Sequence, residues 1–280
     1  MAAEVSALQV KALRDRTGLG FMQCKEALVE AKGDIEKAVD VLRQKGLKSA
    51  DKKADRDTSQ GRIGACVKGT RGVLVEVDCE SDFVARNSDF VALVDRICRH
   101  VAEAAAAPAS PEALLAQALD GGTVESLIKA SVARSGENTR LKRFVRFDGP
   151  ANGLIGTYVH PPGRIAVMVE AEGPGSPSVE TALRDVCMHV AATNPVSVSA
   201  DDIPAAVLER EKAVYLVQTH GKPPQVAEKM IQGKLQAFYA ERCLLRQPFV
   251  KDPNVTVEKH LSAAAPGVKL RRFVRCEIGS

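Results

Sequence analysis

Tryptophan is absent from this 280-residue chain, tyrosine occurs three times, and all aromatics together make up 4%. The apolar content is therefore carried by Ala, Val, Leu and Ile, and any aromatic ring left exposed carries weight. No apolar run reaches the roughly 18 residues a membrane span needs, which excludes a spanning helix. The seven cysteines are odd in number and never form C-x-x-C, which argues against a disulfide framework and for reduced thiols in a reducing compartment. A strong field of one sign is missing too, since the formal charge is only +4. A dedicated nucleic-acid binder usually carries a denser basic patch.

Catalytic signatures are equally scarce. The five histidines (His100, His160, His189, His220 and His260) are isolated, with no H-E-x-x-H and no Cys/His metal spacing. Neither G-x-S-x-G nor a Gly-rich phosphate loop occurs, so nothing here activates a serine or cradles a nucleotide. Cys79, between Asp78 and Glu80, would have its thiolate disfavoured by those charges. The expectation is a protein that is not an enzyme, with no cofactor and no metal. Glu4 and the lack of a basic stretch ahead of an apolar run make a signal peptide or transit segment unexpected, and a cytoplasmic location follows.

What is present begins with helical periodicity. Val10, Leu13, Cys24, Ala27, Leu28, Ala31, Ile35, Ala38, Val39 and Leu42 recur at helical spacing, with breaks at Thr17-Gly18-Leu19-Gly20 and Lys32-Gly33-Asp34. Ser6 to Gln9 fits a capping box and Asp34 can cap a third helix. The polar stretch "RQKGLKSADKKADRDTSQG" that follows lacks apolar periodicity and reads as a charged connector, in part helical.

An internal repeat dominates the remainder. "GRIGACVKGTRGVLVEVDCE" (61–80) lies over "GLIGTYVHPPGRIAVMVEAE" (153–172) without a gap, pairing Ile63 with Ile155, Gly64 with Gly156, Val73 with Ile165, Val75 with Val167 and Val77 with Val169. "ICRHVA" and "VCMHVA" then match after a three-residue length difference. A β-hairpin followed by a helix is duplicated, giving an α+β core of two related halves. His100 and His189 fall at equivalent positions and read as structural. Farther on, 203–220 and 224–245 are long helical patterns around Gly221-Lys222-Pro223-Pro224, an antiparallel helical hairpin.

The copies diverge after the second strand. Copy one continues Ser81-Asp82-Phe83-Val84-Ala85-Arg86-Asn87, and copy two has Gly173-Pro174-Gly175-Ser176-Pro177. Two readings of Asp82-Phe83 stand side by side. Asp82 can cap the next helix while Phe83 staples it to the core, or the pair forms a loop tip that enters a partner. His160, at a strand end before Pro161-Pro162-Gly163, is either a solvated turn residue or a contact.

Four stretches together, "LRDRTGLGFMQCKEALVEAKGDIEKAVDVLR", "VEVDCESDFVARNSDF", "MHVAATNP" and "QPFVKDP", resemble the elongation factor Ts family, in family order across essentially the whole chain. The resemblance implies a ubiquitin-associated-like three-helix domain (1–45), a charged linker (46–60), a first core half (61–150), a second core half in two parts (151–200 and 247–280) and a helical hairpin arm (201–246). It implies a guanine-nucleotide exchange factor for elongation factor Tu, met both GDP-bound and nucleotide-free. In that family a T-D-F loop intrudes beside the partner's Mg²⁺ and phosphate site. Here it reads Ser81-Asp82-Phe83, followed by Val84. The resemblance further places His160 near the phenylalanine's entry point and Phe21 and Met22 on another helix of the partner. A homodimer through the hairpin is a further expectation, without membrane or direct nucleic-acid contact. Family members commonly run on into a "GEGIEK"-like stretch and a last helix, whereas this chain stops at Ser280, so weaker binding or a trimmed end is expected. Two rivals remain open: an RNA- or ribosome-binding module using the 45–56 stretch, and an assembly scaffold that does not promote exchange.

Overall fold

Local chemistry starts and stops the first three helices of the computed structural model, which describes residues 5–280. In α1 (Ala7–Thr17) the Ser6 hydroxyl accepts from the Gln9 amide at 3.2 Å, and Gly18, at φ 68°, ends the helix. α2 (Phe21–Glu30) follows, and Asp34 caps α3 (Ile35–Asp51) by accepting from the Lys37 amide at 3.1 Å. Val10, Leu13, Cys24, Ala27, Leu28, Ala38 and Leu42 close a small core among them. α3 runs on to Asp51, through the first part of the stretch expected to be a linker. Ala50 is buried and Gly46 lies against Ala133 of a later helix, so tertiary packing holds a segment whose own pattern is polar. The irregular connection is confined to 52–59.

The first core half comprises β1 (Gln60–Lys68), β2 (Arg71–Cys79), α4 (Asp82–Arg86), α5 (Ser88–Glu103), α6 (Pro111–Leu115), the two-residue strands β3 (Ala118–Leu119) and β4 (Gly122–Thr123), α7 (Val124–Ser135) and β5 (Thr139–Asp148). The second has β6 (Gly153–His160), β7 (Ile165–Glu172) and α8 (Pro177–Thr193). The helical pair α9 (Ala205–Gln218) and α10 (Pro224–Arg242) follows, then β8 (Pro248–Phe249), β9 (Asp252–Thr256), α11 (Val257–Ala264) and β10 (Lys269–Glu277). Two three-stranded antiparallel sheets result, ordered β1-β2-β5 and β10-β7-β6, beside the two-stranded pairs β3-β4 and β8-β9. The mixed α+β class is as the repeat implied. No residue of α9 or α10 is buried.

The duplication extends further than the hairpin and helix. The last strands carry it as well: Leu141-Lys142-Arg143-Phe144-Val145-Arg146 in β5 corresponds to Leu270-Arg271-Arg272-Phe273-Val274-Arg275 in β10, and the register shifts at Lys142 and again at Arg271. Arg146 donates to the carbonyls of Val101 and Ala104 at the end of α5, and Arg275 to that of Ala191 near the end of α8. Each places a cation where a helix dipole is negative. His100 and His189 each meet a glutamine oxygen at 2.8 Å, from Gln117 and Gln247. Gly64 and Gly156 let a helix lie tight on its sheet, since a Cβ there would stand 2.8 Å from Val94 Cγ1 and 2.7 Å from Leu183 Cβ.

The gapless pairing of the repeats needs one correction. Ile63 faces Glu76 across its hairpin and Ile155 faces Glu170, so Glu76 corresponds to Glu170, Val75 to Val169, Val73 to Val167 and Val77 to Ala171. The second hairpin spends four residues on its turn, Pro161 to Arg164, where the first uses Gly69 and Thr70. A slip of two keeps every side chain on its face, which is why the sequence comparison did not reveal it.

The sheets pack face to face, with the larger helices outside. Ile63, Leu74 and Phe147 meet Ala166, Met168, Cys276 and Ile278 between them. The same interface buries carboxylates. Glu76 pairs with Arg143 at 2.6 Å and Glu170 with Arg272 at 2.7 Å. Each arginine also reaches the other half: Arg143 donates to the Glu277 carbonyl at 3.2 Å, and Arg272 stacks on the Phe147 ring at 4.0 Å. Asp78 is less well served. It is buried, its nearest cation is Arg140 at 3.8 Å, and its Oδ1 has no partner. Burial, then the Glu76 charge, pushes its carboxyl up to about 6.

Three outcomes are expected from these contacts and from their absence at one glycine. Gly64→Ala and Gly156→Ala each destabilise by about 1–3 kcal/mol in chemical denaturation, the usual range for overpacking. Gly233→Ala, with open space around it on α10, stabilises by about 0.5–1 kcal/mol. The Asp78 effect has a definite sign. With its folded pKa raised, the group is best tolerated protonated, and stability is lost as pH rises through about 6. Asp78→Asn therefore raises the melting midpoint at pH 7.5, and the gain shrinks towards pH 4.5. A pH-independent difference would contradict this account.

Candidate partner-contact surface

The break from β2 into α4 is shaped by Ser81. Its hydroxyl accepts from the Val84 amide at 3.3 Å, so Ser81 and not Asp82 is the N-cap. Asp82 instead forms an i,i+4 ion pair with Arg86 at 2.9 Å on the same short helix. Val84 and Ala85 turn towards the first-half core. Phe83 turns away from it and is 84% exposed, so it does not staple the helix. A phenylalanine left in water forgoes about 1.5–3 kcal/mol of burial. In a chain with so few aromatics, that exposure is the signal that marks this loop.

A neighbouring connector grips the loop. Glu137, just past the Gly136 cap of α7, takes the Ser81 amide at 2.9 Å and the Ser81 hydroxyl at 2.6 Å. The Asn138 amide donates to Glu80 Oε1 at 2.5 Å. Burial, then Glu137 and Asp78, pushes the Cys79 thiol up to about 12, so it stays protonated and donates to the Ser81 carbonyl at 3.2 Å. The charges of its chain neighbours are therefore not the main cause of the inert thiol: burial leads, and Glu137 supplies the larger charge effect.

His160 ends β6 and is exposed, with Nδ1 3.0 Å from the Tyr158 hydroxyl. The turn after it is docked onto β1. Arg62 donates to the Pro162 carbonyl at 2.7 Å, the Ile63 amide to the Gly163 carbonyl at 2.9 Å, and Arg164 to the side chain of Gln60. A cavity of about 410 Å³ lies between this turn and α4, lined by Ser81, Asp82, Arg86, Pro162 and Arg164. On the other flank, Phe83 and Val84 share a cleft of about 360 Å³ with Arg134 and Gly18. Gly18 belongs to the α1–α2 turn. Phe21 and Met22 open α2 three residues later, 46% and 60% exposed. The structure thus sets α4 between the turn that follows His160 and the turn that leads to Phe21 and Met22. Those three residues do not themselves line either cavity.

Sequence reasoning missed Glu137, Asn138, Arg62 and Gln60, since each acts on residues far away in the chain. Among the described residues, no cluster of three or more His, Cys, Asp or Glu is placed to hold a metal ion. No described helix is long and apolar enough to cross a membrane.

The chain is a helical module on a duplicated α+β core, with an exposed phenylalanine on a loop that only one half carries. The family model described as Elongation factor TS matches residues 80–280. Elongation factor Ts of Alkalilimnicola ehrlichii is 47% identical over 279 residues, covering 98% of this chain and 92% of its own. That of Chromobacterium violaceum is 46% identical over 269 residues, covering 95% and 90%. That of Aquifex aeolicus is 42% identical over 290 residues, covering 100% and 99%. The chain belongs to the Elongation factor TS family, and its role lies in translation elongation.

Proposed function

We propose that this chain is the guanine-nucleotide exchange factor for elongation factor Tu, binding it both GDP-bound and nucleotide-free in the cytoplasm. It acts without covalent chemistry of its own. The observation that carries this reading is Phe83, 84% exposed on a five-residue helix that the second half lacks. The ring wedges into the partner beside its Mg²⁺ and phosphate site, with Asp82 adding a negative charge there. Ser81 and Val84 set the base of the wedge. His160 on one flank and Phe21 with Met22 on the other complete the contact, so that the three-helix unit 1–45 and both core halves, 61–150 and 151–200 with 247–280, share the partner.

Release of GDP then follows from linkage. A factor that binds the empty partner more tightly than the GDP-bound one weakens GDP by the same ratio, and each 1.4 kcal/mol of that difference is about tenfold. The arm, 201–246, serves a separate contact in this scheme. Val214, Leu216, Val217, Val226 and Met230 remain exposed on it, which favours a second copy of the chain as its partner. No direct nucleic-acid contact is part of this reading.

The test is the release of a fluorescent GDP analogue from elongation factor Tu in excess unlabelled GDP. Phe83→Ala lowers the acceleration by about ten- to hundredfold, the worth of one buried aromatic side chain, and leaves the melting midpoint nearly unchanged because the residue is 84% exposed. Undiminished exchange by that variant would rule out the wedge.

A further inference from the structure

A helix of five residues is too short to hold itself, so the direction in which Phe83 leaves the surface is set from outside α4. Ser81 is where that control enters. Its amide and hydroxyl both donate to the Glu137 carboxylate, at 2.9 and 2.6 Å, its carbonyl accepts from the Cys79 thiol, and its hydroxyl accepts from Val84. Every polar atom of the residue is engaged. Of these partners only Glu137 is remote in the chain, 56 residues past Ser81. Its own amide donates to the Ser135 hydroxyl at 3.2 Å, and Asn138 next to it holds Glu80 and reaches the carbonyls of Ala54 and Arg56.

The second half serves as an internal control. Aligning β10 with β5 sets Pro266-Gly267 where Glu137-Asn138 stand. There the connector lies backbone against backbone: a Cβ on Gly173 would come within 2.8 Å of the Gly267 carbonyl oxygen. The shared scaffold therefore joins these two segments without any carboxylate. Glu137 occurs in the half that has the phenylalanine helix, and its two hydrogen bonds go to that helix's cap.

We infer that Glu137 is a positioning residue for nucleotide exchange, its carboxylate holding Ser81 and through Ser81 the orientation of Phe83. This rests on the reading of Phe83 as the wedge. Bidentate acceptance by an ionised carboxylate is among the stronger and more directional contacts available to a serine. Losing it frees α4 to fray at its first turn and lets the ring sample orientations that do not enter the partner.

The experiment is a double-mutant cycle in the GDP-analogue release assay with elongation factor Tu, using the full chain as wild type, Phe83→Ala, Glu137→Ala, Glu137→Gln and the Phe83→Ala/Glu137→Ala double variant, with melting midpoints measured alongside. Glu137→Ala should slow exchange by about tenfold, equivalent to about 1.4 kcal/mol, and Glu137→Gln by less. The double variant should be no slower than Phe83→Ala alone, because a positioning residue has nothing left to position. A purely structural role would instead multiply the two losses. Wild-type exchange by Glu137→Ala beside a slow Phe83→Ala overturns the inference and leaves the wedge standing, as does full additivity in the double variant. Wild-type exchange by Phe83→Ala overturns the wedge, and the inference with it. If Glu137→Ala melts below the assay temperature, Glu137→Gln, which keeps the volume, takes its place in the cycle.

Discussion

The face-to-face packing of the two sheets is the constraint on which the rest of the molecule depends. It is a mixed interface, apolar at Ile63, Leu74, Phe147 and Met168, and charged at Glu76 with Arg143 and Glu170 with Arg272. In both pairs the carboxylate is buried and the guanidinium stays partly in water, so desolvation of the glutamate offsets much of the attraction. Their geometry matters more here. Each arginine pairs with a glutamate in its own sheet and touches the opposite sheet as well, so the two halves meet in one register. That register docks the turn after His160 onto β1, beside the start of α4.

Within this frame the two halves can be compared as variants of one design. Both keep the glycine under the helix, the histidine with its glutamine, the bulged closing strand and the arginine at the helix end. Those features answer to packing and to unsatisfied backbone carbonyls, which both halves share. The loop after the second strand, the residues that grip it and the length of the hairpin turn are where they part. Divergence on a conserved frame separates what the fold requires from what the surface offers, and it does so inside a single chain.

The exposed ring of Phe83 fits that separation. Its position costs apolar burial in the free protein, and its helix is anchored at the first residue by polar contacts that do not involve the ring. Order at the base combined with exposure at the tip is what a preorganised contact needs, since little conformational freedom remains to be lost on binding. Phe21 and Met22 follow a similar logic at the start of α2, where the helix is held through Cys24, Ala27 and Leu28 while its first residues face outward.

Much of this was legible along the chain. Helical spacing and the Ser6 and Asp34 caps located the first three helices, because those effects are local. Alternation located the hairpins, and the repeat exposed the two halves. Asp82 and Phe83 stood out as the place where the copies disagree, though Ser81 proved to be the cap. What required the tertiary structure was whatever joins residues distant in sequence or is degenerate in pattern. The two-residue offset between β2 and β7 leaves the period-two alternation unchanged. The helical stretch 46–51 packs on α7, and the carboxylate bound to Ser81 belongs to Glu137, 56 residues further on. Periodicity and capping record what a segment does with its immediate neighbours, whereas hydrogen bonds and close contacts between remote segments exist only once the chain has folded.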